Sequence, residues 1–350
     1  MTAGATISSA VLFGFQDRLG ARGVDAHRLG SRCHVPVEAW SNDSVEIPLS
    51  DFVRLLELAA DESANPAFGW ESGRIFNFHA FGDLAQAVLE APTLGAGLAT
   101  FSRYLQLFQT TSEMRLDIND RKAVVTYRIL DPEIWPRQQD AEFSISVILA
   151  LIQHVLGTDW RPSAVGFEHR ASRPEQSWNE EIAAECIFGA EANTIVLPVG
   201  ALDCPMPSSN RAAWRQRSYK LGRALSEHEL AQSTAARVSE AIYACFGHGP
   251  VNQISVARRL GLSRRSLRRK MKAEGVTFSN VLAKSRLRLA RRTLTRTDRS
   301  LAQIALDLGY SDQSAFTRAF KIGGGLPPGR YRKSHLPDAP RTAVTDSQIS

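Results

Sequence analysis

Apolar and polar positions repeat in the same order twice near the carboxyl end of this chain. The first copy is V-A-R-R-L-G-L-S at residues 256–263, and the second is I-A-L-D-L-G-Y-S at residues 304–311. In each copy the apolar residues recur at helical spacing, a glycine then ends the helix, and a serine can cap the next one. The pattern therefore predicts two helix-turn-helix units.

The helix that follows the first turn is dense in positive charge, with R-R-S-L-R-R-K-M-K after Ser263. Leu267 and Met271 lie four residues apart and would face the core, so the other long side chains point outward. Those outward cations are Arg264, Arg265, Arg268, Arg269 and Lys272. Because so many like charges on one short helix repel each other, a polyanion is the natural partner. We expect Arg265, Arg268 and Arg269 to read base edges, and the other two to hold phosphates.

The helix that follows the second turn carries less charge, and Phe316 and Phe320 would form its buried face. The side chains it would present to solvent are Gln313, Ser314, Thr317, Arg318 and Lys321. In a DNA major groove arginine pairs with guanine and glutamine with adenine, so this helix is a second candidate reader. The alternative is that both helices are only solvated faces of a small bundle, and the repetition of the turn argues against it.

A continuous helix is predicted between the two units, because residues 277–294 contain no proline or glycine and place apolar residues at helical spacing. At about 1.5 Å per residue this helix would span about 27 Å. Major-groove surfaces on one side of a duplex repeat every roughly 34 Å. One chain could therefore contact two successive turns of DNA.

The second unit carries a family resemblance. Residues 302–332 join an I-A-x-x-L-G-Y-S turn, an S-x-F-x-R-A-F-K helix and a closing G-x-x-P-x-x-Y-R. This combination resembles the signature of AraC/XylS-type bacterial transcription regulators, and the first unit resembles it too. The chain departs from the family at Gly323 and Gly324, where the family usually has a tryptophan and a threonine. We expect these glycines to fray the end of the helix and weaken its packing.

Charge divides the chain into a basic and an acidic part. The 350 residues, 43% of them hydrophobic, are enough for two or three domains with proper cores. Residues 232–335 hold 21 Lys and Arg against 5 Asp and Glu, a net charge of +16, which leaves −10 for the rest of the chain. The basic part is therefore expected to meet nucleic acid, and the acidic part to avoid it.

The four cysteines, Cys33, Cys186, Cys204 and Cys245, form no C-x-x-C pair and have no histidine at zinc-finger spacing. Structural zinc is therefore not expected, and scattered thiols suit a reducing compartment. The first residues lack the basic start and apolar core of a signal peptide, and no apolar run reaches membrane-spanning length. We expect a cytoplasmic protein with no membrane partner.

The first 200 or so residues predict one domain that mixes helices and strands. Residues 49–62 and 142–156 predict helices, and residues 114–118 and 123–130 predict a β-hairpin around Asn119. The phrases A-P-T-L-G (91–95), D-W-R-P-S-A-V-G-F-E-H (159–169) and F-G-A-E-A-N-T-I-V-L (188–197) resemble the arabinose-binding-type effector and dimerisation domain in one branch of the AraC/XylS family. The resemblance implies a small organic effector, a homodimer and RNA polymerase as partners of an activator.

Together these observations predict an α+β effector domain followed by an all-α domain with two helix-turn-helix units joined by a linker helix. The effector and dimerisation domain would span residues 1–210, with a polar connector at 211–231. The double helix-turn-helix domain would span 232–335, and residues 336–350 would form a disordered tail.

The residues around two aromatic segments are candidates for lining an effector pocket, although core packing would explain most of them equally well. They are Phe76, Phe78, His79, Phe81, Tyr104 and Phe108. The sequence shows no nucleophile beside a base, no metal cluster and no phosphate loop, so we expect neither an enzyme nor a cofactor. The best enzymatic alternative is a DNA-repair methyl acceptor, which would need an activated thiolate, usually with neighbouring cysteines on zinc.

Overall fold

The structure, a computed structural model, describes residues 4–246, 251–297 and 299–335. Its internal contacts divide the chain into two compact units, one ending at Ser233 and the other beginning at Thr234. The tail expected at 336–350 lies outside the described residues. Within the ranges given above, none of the helices combines the length and the hydropathy that are needed to cross a bilayer.

The first unit mixes strands and helices. Its strands are β1 (Thr6–Ser8), β2 (Glu46–Pro48), β3 (Ser112–Ile118), β4 (Lys122–Ile129), β5 (Ala164–Phe167), β6 (Glu185–Phe188) and β7 (Asn193–Pro198). Its α-helices are α1 (Phe15–Gly20), α2 (Ala26–Arg32), α3 (Leu49–Glu62), α4 (Phe68–Arg74), α5 (Asp83–Leu89), α6 (Leu94–Tyr104), α7 (Gln138–Leu156), α8 (Glu175–Ile182) and α9 (Arg211–Ala231). Short 3-10 helices run over Ser9–Leu12, Val37–Trp40, Phe78–Phe81, Leu105–Leu107 and Val199–Asp203.

Strands β3, β4, β7, β5 and β6 form one sheet in that order, and β1 pairs with β2 separately. Neighbouring strands of the larger sheet are antiparallel except β5 and β6, which are parallel. The predicted hairpin is confirmed, with β3 and β4 in register from Ser112 opposite Ile129 to Ile118 opposite Ala123. Alternate residues of β4 are buried, among them Tyr127, because successive side chains of a strand point to opposite faces.

The central helix of the first unit, α7, begins four residues earlier than the sequence predicts, at Gln138 rather than Glu142. The four additional residues, 138–141, are mostly polar. Polar residues normally mark a loop, but Gln139 and Asp140 are buried here. Close helix packing encloses them. A Cβ added to Gly69 of α4 would lie 2.1 Å from the backbone oxygen of Gln139, so only glycine allows α4 to approach α7 this closely.

The segment expected to be a connector forms α9 and packs on the first unit. The guanidinium of Arg217 donates to Glu90 Oε2 at 2.9 Å and to Asp83 Oδ1 at 2.8 Å. Leu221 and Leu225 are buried in the hydrophobic core of the same unit. The compact first unit therefore continues beyond residue 210, to Ser233.

Helices are the only regular secondary structure among the described residues of the second unit. Its helices are α10 (Thr234–Cys245), α11 (Gln253–Arg259), α12 (Arg264–Ala273), α13 (Phe278–Arg296), α14 (Leu301–Asp307), α15 (Gln313–Gly324) and α16 (Pro328–His335). The two helix-turn-helix pairs are α11 with α12 and α14 with α15. The long helix α13 lies between them in sequence and contacts α10, which precedes the first pair, as well as α15 of the second pair and α16 after it. The predicted fold class, an α+β unit followed by an all-α unit with a linker helix, is confirmed.

Candidate functional site

Both predicted turns contain a glycine in the left-handed region of backbone space, where a side chain would be strained. Gly261 between α11 and α12 has φ +64°, and Gly309 between α14 and α15 has φ +73°. After the first turn, Ser263 Oγ accepts a hydrogen bond from the Ser266 backbone N–H at 3.0 Å. The expected serine cap of α12 is therefore present.

The second turn uses a different cap from the expected one. The side chain of Asp312, not of Ser311, accepts from the Ala315 backbone N–H, at 2.7 Å. Ser311 Oγ instead donates to Asp312 Oδ2 at 2.9 Å. The expectation was wrong by one residue because α15 begins at Gln313, which makes Asp312 the N-cap. The hydrogen bond from Ala315 holds the pKa of Asp312 below its usual value.

Helix α12 separates its apolar and basic residues onto opposite faces. Leu267 and Met271 are buried against the rest of the unit. Five of its exposed cations, which we call the α12 basic face, are Arg264, Arg265, Arg268, Arg269 and Lys272, and Lys270 is exposed as well. No carboxylate in the described parts of the chain forms an ion pair with any of them. The face is therefore a patch of uncompensated positive charge beside a well-formed turn.

Helix α15 buries Phe316 and Phe320, as its sequence pattern predicts. We call the opposite side the α15 polar face, and it consists of Gln313, Ser314, Thr317, Arg318 and Lys321. Thr317 is half-buried and the other four are exposed. Each residue proposed from sequence therefore lies on the α12 basic face or the α15 polar face.

The glycines near the end of α15 do not fray the helix, so that expectation was wrong. The helix includes Gly323 and Gly324, and the backbone N–H of Gly325 closes it by donating to the Lys321 carbonyl at 3.0 Å. A Cβ added at Gly323 would lie 2.8 Å from Cδ2 of Leu287 on α13. The missing side chain therefore allows a close approach of two helices, which offsets the low helix propensity of glycine.

Two arginines that the sequence analysis did not single out attach the second pair of helices to α13. Arg286 Nη2 donates to the Gly309 carbonyl at 2.9 Å, and its guanidinium carbon lies 4.7 Å from the centre of the Tyr310 ring. Arg332 donates to the carbonyls of Leu294, at 3.1 Å, and Arg299, at 2.6 Å. On a basic helix such as α13, an arginine that supports a turn has the same sequence pattern as one that contacts phosphate.

Comparison with protein families identifies this architecture. A family model described as "Arabinose-binding domain of AraC transcription regulator, N-term" matches residues 23–206, more than half of the chain. The chain belongs to the AraC family of transcription regulators. A second model, "Helix-turn-helix domain", matches residues 256–334 and covers both turns. The resemblance stated from the sequence motifs is therefore confirmed.

Relatives of this AraC-family chain are also named as regulators, and two of them match over nearly their full length. The "Ornithine utilization regulator" of Pseudomonas aeruginosa is 27% identical over 322 residues, covering 91% of this chain and 94% of the relative. "HTH-type transcriptional regulator VirS" of Mycobacterium tuberculosis is 25% identical over 342 residues, covering 95% and 98%. "Transcriptional activator NphR" of a Rhodococcus species is 30% identical over 156 residues, covering 42% and 47%. The predicted function, a DNA-binding transcriptional regulator, is confirmed.

The aromatic residues proposed for an effector pocket occupy different environments in this AraC-family chain. Phe81 and Phe108 line a cavity in the first unit. Phe76 is buried in the core, and Phe78 packs on the ring of Phe81 with centroids 5.1 Å apart. His79 is exposed, and the hydroxyl of Tyr104 donates to a carbonyl of α9 at 3.0 Å. Of the six candidates, only Phe81 and Phe108 are therefore part of the cavity lining.

The cavity also has a polar end, which the sequence analysis missed. The Tyr127 hydroxyl donates to Asp140 Oδ2 at 3.0 Å, and Gln109 Nε2 donates to the Tyr127 oxygen at 2.8 Å. Burial raises the pKa of the Asp140 carboxyl to about 7. No sequence signal distinguishes Asp140, because an aspartate in the first turn of a helix is ordinarily a solvated residue that favours the helix dipole.

The thiols give no support to the DNA-repair alternative, which needs an activated thiolate. Burial raises the pKa of Cys33 above its usual value and that of Cys186 to about 11. Cys204 and Cys245 are half-buried. Among the residues described by the structure, no cluster of histidine, cysteine and carboxylate side chains is placed to hold a metal ion.

Proposed function

We propose that this AraC-family regulator binds duplex DNA through α12 and α15 together. The observation that carries the proposal is the α12 basic face, which is exposed and unpaired by any described carboxylate. Arg265, Arg268 and Arg269 would make bidentate contacts with base edges. Arg264 and Lys272 would neutralise phosphates, which sets the register of the helix but carries no sequence information.

The α15 polar face would read a second site along the duplex. Arg318 suits guanine and Gln313 suits adenine, while Ser314 and Thr317 suit either base and Lys321 suits phosphate. At about 1.5 Å per residue, α13 between the two pairs is about 28 Å long. That length is close to the roughly 34 Å between major-groove surfaces one turn apart.

A genomic footprint of the full-length chain tests this proposal. Wild-type protein is expected to occupy a small set of sites that share a sequence, whereas a chain with Arg265, Arg268 and Arg269 all changed to alanine loses them. Arg223→Ala on α9 is the matched control, because it removes an exposed arginine outside the second unit. Specific occupancy that survives the triple change, or is lost equally in the control, would contradict the assignment.

For the first unit we propose a small organic effector site and a homodimer contact. Supporting this, the family model that matches the unit carries the name of an arabinose-binding domain, and the unit contains a mostly apolar cavity with a few polar groups in its lining. Ligand sites are commonly lined by apolar and aromatic side chains, with a small number of polar groups that orient the ligand. Sedimentation of the full chain at micromolar concentration is expected to give a dimer. A monomer at that concentration would contradict the dimer proposal.

We further propose that the chain works in the cytoplasm as an activator that contacts RNA polymerase and carries out no catalysis of its own. The relative from Rhodococcus is named as an activator. A transcription reporter placed behind a footprinted site tests this directly. Expression is expected to fall when the chain is deleted, and a rise would identify a repressor instead.

A further inference from the structure

The cavity of the first unit is lined in part by aromatic rings that come from distant parts of the chain. They are Phe52, Phe81, Phe101, Phe108 and Phe143. Phe81 lies 5.3 Å from Phe101 and 4.3 Å from Phe108, measured between ring centroids, and Phe52 lies 6.2 Å from Phe143. These rings form an apolar wall and also present π-faces, which attract cations.

The polar end of the cavity contains a carboxylate that the protein leaves incompletely bonded. Asp140 is 2% exposed, and its Oδ2 accepts from the Tyr127 hydroxyl. Its other oxygen, Oδ1, has no hydrogen-bond partner among the described residues. A buried polar atom without a partner is costly, and in native proteins it commonly marks a place where something else binds.

Arg137, the cation whose charge acts on Asp140, forms its hydrogen bonds with other groups. Arg137 precedes Asp140 by one helical turn, but its guanidinium donates to both carboxylate oxygens of Glu168, at 2.5 and 2.6 Å. It also donates to the Ile129 carbonyl at 2.7 Å. Gln139, the neighbour of Asp140, is likewise occupied, because its side chain bonds to the backbone of α4. Neither neighbour therefore supplies a hydrogen-bond donor to Asp140 Oδ1.

We propose that this cavity binds a small organic amine, whose ammonium group donates to Asp140 Oδ1 while its apolar body packs on the aromatic rings. The inference rests on the proposed function of the first unit as an effector sensor and names the chemical class of the effector. Two features favour an ammonium group over a neutral hydroxyl. A carboxylate accepts its strongest hydrogen bonds from cations, and the aromatic walls stabilise positive charge as well.

Proton release supplies an independent signature of this binding. Burial raises the pKa of Asp140 to about 7, so the empty site holds a proton on part of the population near neutral pH. The charged groups that act on it are Arg137 of the α7 entry, Glu168 after β5 and Glu57 of α3, with the Tyr127 hydroxyl of β4 in direct contact. A bound ammonium favours the carboxylate, so its arrival expels that proton.

The test uses the full-length chain and a graded set of probes, n-butylamine, benzylamine, 2-phenylethylamine and 4-phenylbutylamine, with 2-phenylethanol and 3-phenylpropanoate as uncharged and anionic counterparts. Calorimetry near pH 6.5, in buffers of different ionisation enthalpy, is expected to show binding of at least one amine with proton release. The alcohol is expected to bind about tenfold more weakly or not at all. Failure of every amine to bind would overturn the proposal.

Two variants test whether amine binding depends on Asp140 itself or would respond to the loss of any buried carboxyl on α7. Asp140→Asn keeps the shape of the side chain and is expected to weaken amine binding about 10- to 100-fold. Glu142→Gln is the matched control, because Glu142 is a fully buried carboxyl on the same helix that does not line the cavity. It should leave the affinity unchanged. Equal loss in both variants, or amine affinity retained in Asp140→Asn, would contradict the assignment.

The same titrations distinguish failure of the ligand class from failure of the effector proposal. If the alcohol or the carboxylate binds the wild-type cavity and alters DNA affinity, the effector proposal stands and the amine is wrong. If no probe binds and filling the cavity with Ser144→Leu leaves DNA affinity unchanged in a folded chain, neither proposal survives.

Discussion

Arg268 lies in the middle of the α12 basic face, with Arg264 one turn before it and Lys272 one turn after it. Arg318 is the single arginine of the α15 polar face. The glycines at the end of α15 do not distinguish the two helices, because α15 is intact to Gly324. What distinguishes them is the number of side chains able to make a bidentate guanine contact.

We therefore expect Arg268→Ala to reduce specific binding more than Arg318→Ala. A good bidentate contact discriminates between bases by about 1 to 3 kcal/mol, and neighbouring arginines on α12 hold the first contact in register. The measurement is a titration of each variant against a footprinted site and a scrambled duplex. If Arg318→Ala is the more damaging change at matched folding stability, α15 is the principal reader.

Lys272→Ala should behave differently from either arginine change. A phosphate contact carries no sequence information, so binding to the specific site and to the scrambled duplex should weaken by the same factor. The slope of log affinity against log salt should also become shallower by about 1. Loss of binding to the specific site alone would show that Lys272 reads a base.

At the scale of elements, α13 does more than separate α12 from α15. Arg286 and Arg332 attach the second turn and the final helix to it, and Gly323 allows α15 to approach Leu287 closely. The second pair of helices is thus positioned by hydrogen bonds to backbone carbonyls as well as by apolar packing.

We expect Arg286→Met to destabilise the second unit by about 1 kcal/mol, because the Gly309 carbonyl loses its charged donor. Lys284→Met, an exposed change on the same helix, is the control. Urea unfolding of a fragment spanning residues 232–335 gives both values. Equal stability of the two variants would show that the Arg286 contact does not hold the turn.

The sequence predicted elements best where local pattern decides the structure. Both helix-turn-helix turns follow from glycine positions and apolar spacing. The linker helix and the β3–β4 hairpin follow from apolar spacing alone. The start of α7 and the identity of Asp140 as a cavity residue did not follow, because burial of a polar turn depends on α4, which is distant in sequence. Gly323 was misjudged for the same reason, since its neighbour Leu287 lies on another helix.

At the scale of the whole molecule, the two units differ in how they carry charge. The second unit exposes unpaired cations, whereas the first buries carboxyls. Burial raises the pKa of Glu57 and Asp140 to about 7 and that of Glu142 to about 8. Each of these pKa values lies above the pKa of the same carboxyl in an unfolded chain. The folded state therefore binds more protons than the unfolded state between about pH 4 and pH 8.

The stability of the first unit should therefore fall as the pH rises from 5 to 8.5. The favourable contribution of the three carboxyls is complete below their unfolded pKa values and is lost as the pH passes through about 7 to 8. Glu142→Gln should make this decline shallower, because one titrating group is gone. Calorimetric melting at several pH values measures both slopes. A melting temperature that rises over this range would contradict the prediction.

The central claim, that the carboxyl-terminal unit is a DNA-binding module in its own right, is tested most directly with a fragment of residues 232–335. This fragment carries the net charge of +16 together with the α12 basic face and the α15 polar face. Once its helical fold is verified by circular dichroism, it should bind duplex DNA at low salt, with affinity that falls steeply as salt increases. A folded fragment that shows no affinity for duplex DNA at low salt would contradict the claim.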